Sequence, residues 1–231
     1  MSVANGTILS QASAPAIEGK FNHMSGQSFT KILVTDVATA LARFRMHKTQ
    51  SNMRDLVRTS FAAVEGEVWI FREHVVEAAN ATYGLEPKEK AILEEEFFHV
   101  SAQGRITTQS RFLPVLSSIR FIARIAQRLA SRELVNFSGT GWQTLQQAAL
   151  IRNRVTHPKT AADLILSEDD VETVLEGLYW FLGQASDAME ALIGVRKDYL
   201  GQLEEVLAEL RAGDAATLKL YDEISRKLQD D

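Results

Sequence analysis

The sequence lacks cysteine altogether, although it is 231 residues long. Disulfide bonds, thiolate catalysis and cysteine-ligated zinc are therefore excluded, and the composition suits a reducing compartment. The chain also lacks an apolar run of membrane-spanning length and an N-terminal signal-peptide pattern. We therefore expect a cytoplasmic protein that does not enter a membrane.

Hydrophobic residues make up 45% of the chain and charged residues 24%, which is typical of a globular protein. The net charge of −5 argues against a protein whose whole surface binds nucleic acid. The charge is uneven, because the segment 105–132 contains six arginines and no acidic residue. The sequence thus predicts a basic face on an acidic body.

Apolar residues recur at helical spacing along most of the chain. In residues 53–82 they alternate at intervals of four and three, at Val57, Phe61, Val64, Val68, Phe71 and Val75. Similar patterns predict helices over 88–98, 114–129, 141–157 and 171–193. Residues 29–48 favour a helix, although their Ile-Leu-Val run also permits a strand. The prediction is an all-α, up-and-down helical bundle.

The chain divides into three predicted segments. Residues 1–28 mix small and polar residues without periodicity, which predicts a flexible leader. Residues 29–193 would form the bundle. Residues 194–231 continue the helical pattern as an extension, whose apolar edge would pack on the bundle or on a second protomer.

One short stretch carries recognisable chemistry, namely Arg-Asn-Arg-Val-Thr-His at 152–157. Asn153 and His157 are four residues apart and share a helix face, and Pro158 ends the helix there. Arg152 borders the buried stripe and supplies a permanent positive charge, whereas His157 exchanges protons near neutral pH. This combination suits phosphate chemistry. The alternative is that these cations only complement the dipole of a helix C-terminus.

This arrangement of Arg152, Asn153 and His157 resembles the signature of the HEPN superfamily, which is an arginine, a polar residue, a short spacer and a histidine. Residues 57–66 of the first long helix also look like the first core helix of some HEPN proteins. The resemblance implies a HEPN-type bundle, often dimeric, many of whose members are metal-independent endoribonucleases. A role as a toxin or defence effector, with a neutralising or regulatory protein partner, is implied in the same way.

The resemblance assigns a role to each residue. His157 would remove the proton from a ribose 2′-hydroxyl, Arg152 would hold the phosphate, and Asn153 would orient His157 or contact the scissile group. A second histidine, supplied by the partner of a homodimer, would protonate the leaving oxygen. Cleavage would give a 2′,3′-cyclic phosphate, with no cofactor and no metal.

Several charged residues outside the motif could support it. Glu65 could meet Arg152 from the facing helix, or belong to a solvated charge stripe. Arg120, Arg124 and Arg128 are spaced by four, so they project together and could bind RNA phosphates or pair with acids such as those of 94–96. Lys159 could contact phosphate or be an ordinary loop lysine. It stands where one HEPN branch has a tyrosine that a nucleotidyltransferase antitoxin modifies, so that regulation is not expected here.

Two other classes of function stay open. One is a non-catalytic HEPN-like module that binds nucleotide, RNA or protein. The other is a structural helical protein that acts through its C-terminal helices. The discriminating feature is whether Arg152 and His157 reach a common open surface.

Overall fold

A computed structural model describes residues 26–82, 84–110 and 112–230 of the chain. The helices are α1 (Gly26–Met46), α2 (Gln50–Ala81), α3 (Pro87–Leu93), α4 (Val115–Ala130), α5 (Thr140–Thr156), α6 (Glu168–Ala212) and α7 (Ala215–Asp230). A two-stranded hairpin, β1 (Glu96–Val100) with β2 (Ile106–Ser110), and a 3₁₀ turn (Ala161–Leu164) complete these elements. The all-α prediction is confirmed, and residues 29–46 are helical rather than extended. Residues 1–25 of the predicted leader lie outside the described residues, and α1 begins at Gly26.

The core lies between α2, α4, α5 and α6, with α1 packed on α2. The apolar series of α2 is buried along its whole length, from Val57 to Val75. Thr49 caps the start of this helix by accepting a hydrogen bond from the Asn52 amide at 3.3 Å. The residues at this spacing of three and four therefore form the face of α2 that packs in the core of the bundle.

Helices α5 and α6 run antiparallel and approach each other closely. A Cβ atom at Gly177 of α6 would lie 3.1 Å from the Leu145 backbone of α5. Only a glycine permits this approach without displacement of α5. The contact fixes the direction of α5 and hence the place where its C-terminal end emerges.

Helix α6 begins with a capping box, in which Ser167 and Asp170 exchange side-chain and backbone hydrogen bonds. The helix runs for 45 residues to Ala212, and Gly213, whose φ is 75°, caps its C-terminal end. The division proposed at 193–194 lies inside this unbroken helix. Glycine costs about 1 kcal/mol in a helix interior, so Gly194 does not interrupt it.

Beyond the bundle, the ends of α6 and α7 expose apolar side chains. They include Leu200, Leu203, Val206, Leu207, Leu218, Tyr221 and Ile224, each at least 42% exposed. Thr217 donates to Glu209 across the turn that joins the two helices, at 2.7 Å. Within the described part of the chain, no helix is both long and apolar enough to cross a membrane.

The helix predicted over 88–98 is wrong in its second half. α3 ends at Leu93, and residues 96–100 pair antiparallel with 106–110. Phe97, Phe98 and Val100 favour strand over helix, and the intervening turn contains Gly104 with a φ of 73°. The charged segment before them forms only the two helical turns of α3.

Candidate functional site

The guanidinium of Arg152 is fixed against α2. It forms an ion pair with Glu65 and donates to Asn153 Oδ1 at 3.1 Å. Its Cζ atom lies 5.6 Å from the centre of the Phe61 ring, within cation–π range. The contact expected between Glu65 and Arg152 is therefore present. Phe61 under the guanidinium is a part of the site that sequence reasoning missed, since its place in the buried series indicated only a core residue.

Two other arginines of α2 hold the segment that follows. Arg58 donates to the Val155 carbonyl at 3.3 Å, and Arg54 donates to the Leu164 carbonyl at 3.0 Å. Carbonyl groups at the end of a helix have no partner in the helix itself, so Arg58 satisfies a carbonyl at the end of α5 and Arg54 satisfies one at the end of the 3₁₀ turn. Neither contact was predicted from the sequence, because both carbonyl partners lie about 100 residues further along the chain.

His157 is the C-cap residue of α5, with φ −125° and ψ 57°. Its amide donates to the Asn153 carbonyl at 2.9 Å, and its side chain is exposed. The side chain of Asn153 is exposed on the same helix face one turn earlier. The last turn of α5 thus presents an imidazole and an amide to solvent, and the amide accepts a hydrogen bond from the anchored Arg152.

The loop after His157 is closed by a carboxylate. Asp163 Oδ2 accepts from the amides of Lys159 and Thr160, at 2.9 and 2.7 Å, and from the Thr160 hydroxyl. The two backbone bonds and then the hydroxyl bond lower the pKa of Asp163 below its usual range. The Lys159 side chain is exposed and makes no ion pair with a described residue. The backbone next to His157 is therefore held in place, whereas the Lys159 amine faces water.

Arg154 belongs to the same sequence motif but has another environment. It forms an ion pair with Asp170 at 2.9 Å, and Asp170 also accepts from the Ser167 amide at 2.9 Å. The Nε atom of Arg154 is buried without a hydrogen-bond partner among the described residues. Arg154 thus joins the end of α5 to the start of α6, which is a structural role.

The arginines of α4 are all exposed, but two of them have partners within the chain. The Arg120 guanidinium lies 5.1 Å from the centre of the Phe137 ring and 4.8 Å from that of Trp142. Arg128 pairs with Glu89 at 2.6 Å, rather than with the acids of 94–96. Arg124 makes no ion pair or side-chain hydrogen bond with a described residue. Of the predicted stripe, Arg124 is the cation best placed to meet an external anion.

Among the described residues, no group of three or more His, Asp or Glu side chains is arranged to hold a metal ion. In the comparisons with known proteins, no family model, curated protein or solved structure matches this chain. Function must therefore be inferred from the geometry of the site itself.

Proposed function

We propose that this protein is a metal-independent endoribonuclease of the HEPN type, with its active site at the C-terminal end of α5. The observation that carries the proposal is the joint placement of Arg152, Asn153 and His157. The arginine is anchored by α2, and the other two side chains are exposed within one helical turn of each other. The proposal includes action in the cytoplasm as a toxin or defence effector.

Each group has a chemical task in this reaction. His157 accepts the proton of a ribose 2′-hydroxyl, which attacks the adjacent phosphorus and displaces the 5′-oxygen. Arg152 has five N–H donors, of which Glu65 and Asn153 each occupy one, so others are available to the phosphate. Charge on the phosphoryl oxygens in the transition state is stabilised by this fixed cation. The products are a 2′,3′-cyclic phosphate and a 5′-hydroxyl end.

The leaving 5′-oxygen needs a proton donor, and the described chain offers no second histidine on α5. His47 follows α1, His74 is on α2 and His99 is on β1. We assign the donor to His157 of a second copy in a homodimer. Leu150, which is 61% exposed about two turns before His157, lies on the same face of α5 and would be covered in such a homodimer.

A non-catalytic binding module is the second candidate, and one observation favours it. The charge of Arg152 is already neutralised by Glu65, whose own side chain is 47% exposed. A phosphate would have to compete with this carboxylate. In such a module Arg152 would be a structural residue, and only Asn153 and His157 would face a ligand.

Product analysis separates the two candidates. We expect the purified protein to cleave single-stranded RNA in the presence of EDTA, and to leave 2′,3′-cyclic phosphate ends that resist phosphatase until they are opened by acid. RNA substituted with 2′-O-methyl groups should not be cut. Cleavage that EDTA abolishes and magnesium restores, or that leaves 3′-hydroxyl ends, would contradict the mechanism, and binding without cleavage would favour the module.

A further inference from the structure

A cleft lies next to the proposed active site, between α2, the end of α3 and α4. Its volume is about 140 Å³, and its walls include Glu65, Trp69, Glu95, Ser118 and Phe121. Pockets for drug-sized ligands usually hold about 300–1,000 Å³, so this cleft admits a single ring system.

Glu65 connects the cleft to the active site. One of its carboxylate oxygens pairs with Arg152, and the same side chain lines the cleft. A group in the cleft is therefore one side chain away from the guanidinium that is proposed to hold the scissile phosphate.

Trp69 gives the cleft an aromatic wall. It is 50% exposed, although it contacts Phe29 edge to face with ring centres 6.3 Å apart. Exposed aromatic side chains beside a nucleic-acid site commonly stack on unpaired bases. Val68, Leu113 and Ile122 supply apolar surface deeper in the same cleft.

The cleft contains a cation, Arg72, but its charge is already used. Arg72 donates to the Leu93 carbonyl at 3.0 Å and lies 3.5 Å from Glu73 and 3.8 Å from Glu95. Its Cζ atom is also 5.8 Å from the Trp69 ring centre. With Glu65 and Glu95 in the walls, the cleft repels a phosphate and offers hydrogen-bond acceptors to a donor.

Glu95 has an unusual backbone conformation, with a φ of 57°. This left-handed region strains most residues other than glycine, and the position after α3 is one where glycine would be unstrained. Its amide donates to the Ile92 carbonyl at 3.1 Å. A glutamate therefore occupies a position where glycine would be unstrained, and it contributes a carboxylate to the wall of the cleft.

We propose that this cleft binds one unpaired base of the RNA, next to the cut, and selects a base that carries an exocyclic amino group. The base stacks on Trp69 and donates its amino hydrogens to the free oxygens of Glu65 and Glu95. Uracil has a carbonyl where cytosine has an amino group, so it faces these carboxylates with an acceptor and is rejected. The inference rests on the proposed function, because it places RNA at Arg152.

Cytosine and uracil provide the sharpest test, since their rings are equal in size and differ at that edge. The probes are 2′-O-methyl hexanucleotides of cytidine and of uridine, which cannot be cut by 2′-hydroxyl attack, and binding is measured by fluorescence anisotropy. We expect the cytidine oligomer to bind about tenfold more tightly, the discrimination that one good carboxylate–amine contact gives. Equal affinities for the two oligomers would overturn the proposal.

Substitutions in and beside the cleft test whether the preference for cytidine arises there. Trp69→Ala and Glu95→Gln should reduce the ratio of cytidine to uridine affinity to within about twofold. Glu73→Gln is the control and should keep the wild-type ratio, because Glu73 also pairs with Arg72 but does not line the cleft. An unchanged ratio in both cleft variants would contradict the assignment. His157→Ala should bind with the wild-type ratio. If the ratio is present but no variant or wild-type protein cleaves RNA, the base site stands and the nuclease assignment fails.

Discussion

The C-terminal end of α5 and the exposed face of α4 both carry closely spaced cations, but the rest of the fold treats them differently. At the end of α5, α2 anchors Arg152 through Glu65 and Phe61, and the neighbouring Asn153 and His157 stay exposed. On α4, Arg120 lies over two aromatic rings and Arg128 is paired with Glu89. A fixed arginine beside an exposed proton-transfer group can do chemistry, whereas arginines paired on a helix surface mainly stabilise the fold.

Alanine at one ion-paired arginine from each region gives the largest expected contrast. Arg152→Ala should lower the single-turnover rate of RNA cleavage at least about 100-fold, because it removes the donor proposed to act on the transition state. Arg128→Ala should change that rate less than about twofold and cost about 0–1 kcal/mol of unfolding free energy, since it breaks an exposed ion pair. Equal effects of the two variants on cleavage would remove the distinction between the regions.

The salt dependence of RNA binding tests which arginine of α4 meets phosphate. Arg124→Gln should reduce the slope of log affinity against log salt by about 0.7, the loss of one contact to a single strand. Arg120→Gln and Arg128→Gln should leave the slope unchanged, because both side chains already have partners in the chain. If all three substitutions lower the slope, the whole stripe binds RNA and its intramolecular contacts open on binding.

A smaller effect is expected from the loop that follows His157. The pKa of Asp163 is lowered, first by the amides of Lys159 and Thr160. The ionised carboxylate of Asp163 therefore stabilises the folded protein fully above pH 3.8, the ordinary pKa of an aspartate. This stabilisation is lost as the pH falls through the lower pKa that Asp163 has in the folded protein. Asp163→Asn should be slightly less stable than the wild type at pH 7, and thermal unfolding should show the difference closing below pH 3.8. A difference that does not narrow as the pH is lowered below 3.8 would contradict this role.

Parts of the fold that depend on local spacing could be predicted from the sequence. The buried series of α2, the capping box at Ser167 and the end of α5 at Pro158 all follow from residues within one or two turns of each other. The contact between Glu65 and Arg152 could also be anticipated, because both residues border apolar series that face each other across the core.

What could not be predicted depends on groups that are distant in sequence. Phe137 and Trp142 under Arg120, the carbonyl partners of Arg54 and Arg58, and the cleft at Trp69 arise only when separate helices pack. The hairpin at 96–110 was missed for another reason. Its apolar residues also fit the edge of a short helix, and only strand pairing decides between the two.

The most direct test of the account is the single-turnover cleavage rate of His157→Ala, with His47→Ala as the matched control. Both histidines are exposed and follow the end of a helix, but only His157 follows the helix that carries Arg152 and Asn153. Removing the proposed general base should lower the rate by about 10²–10⁴-fold, while His47→Ala should cleave at the wild-type rate. Circular dichroism should show the same helicity in both. Cleavage by His157→Ala at the wild-type rate would show that the end of α5 is not the active site.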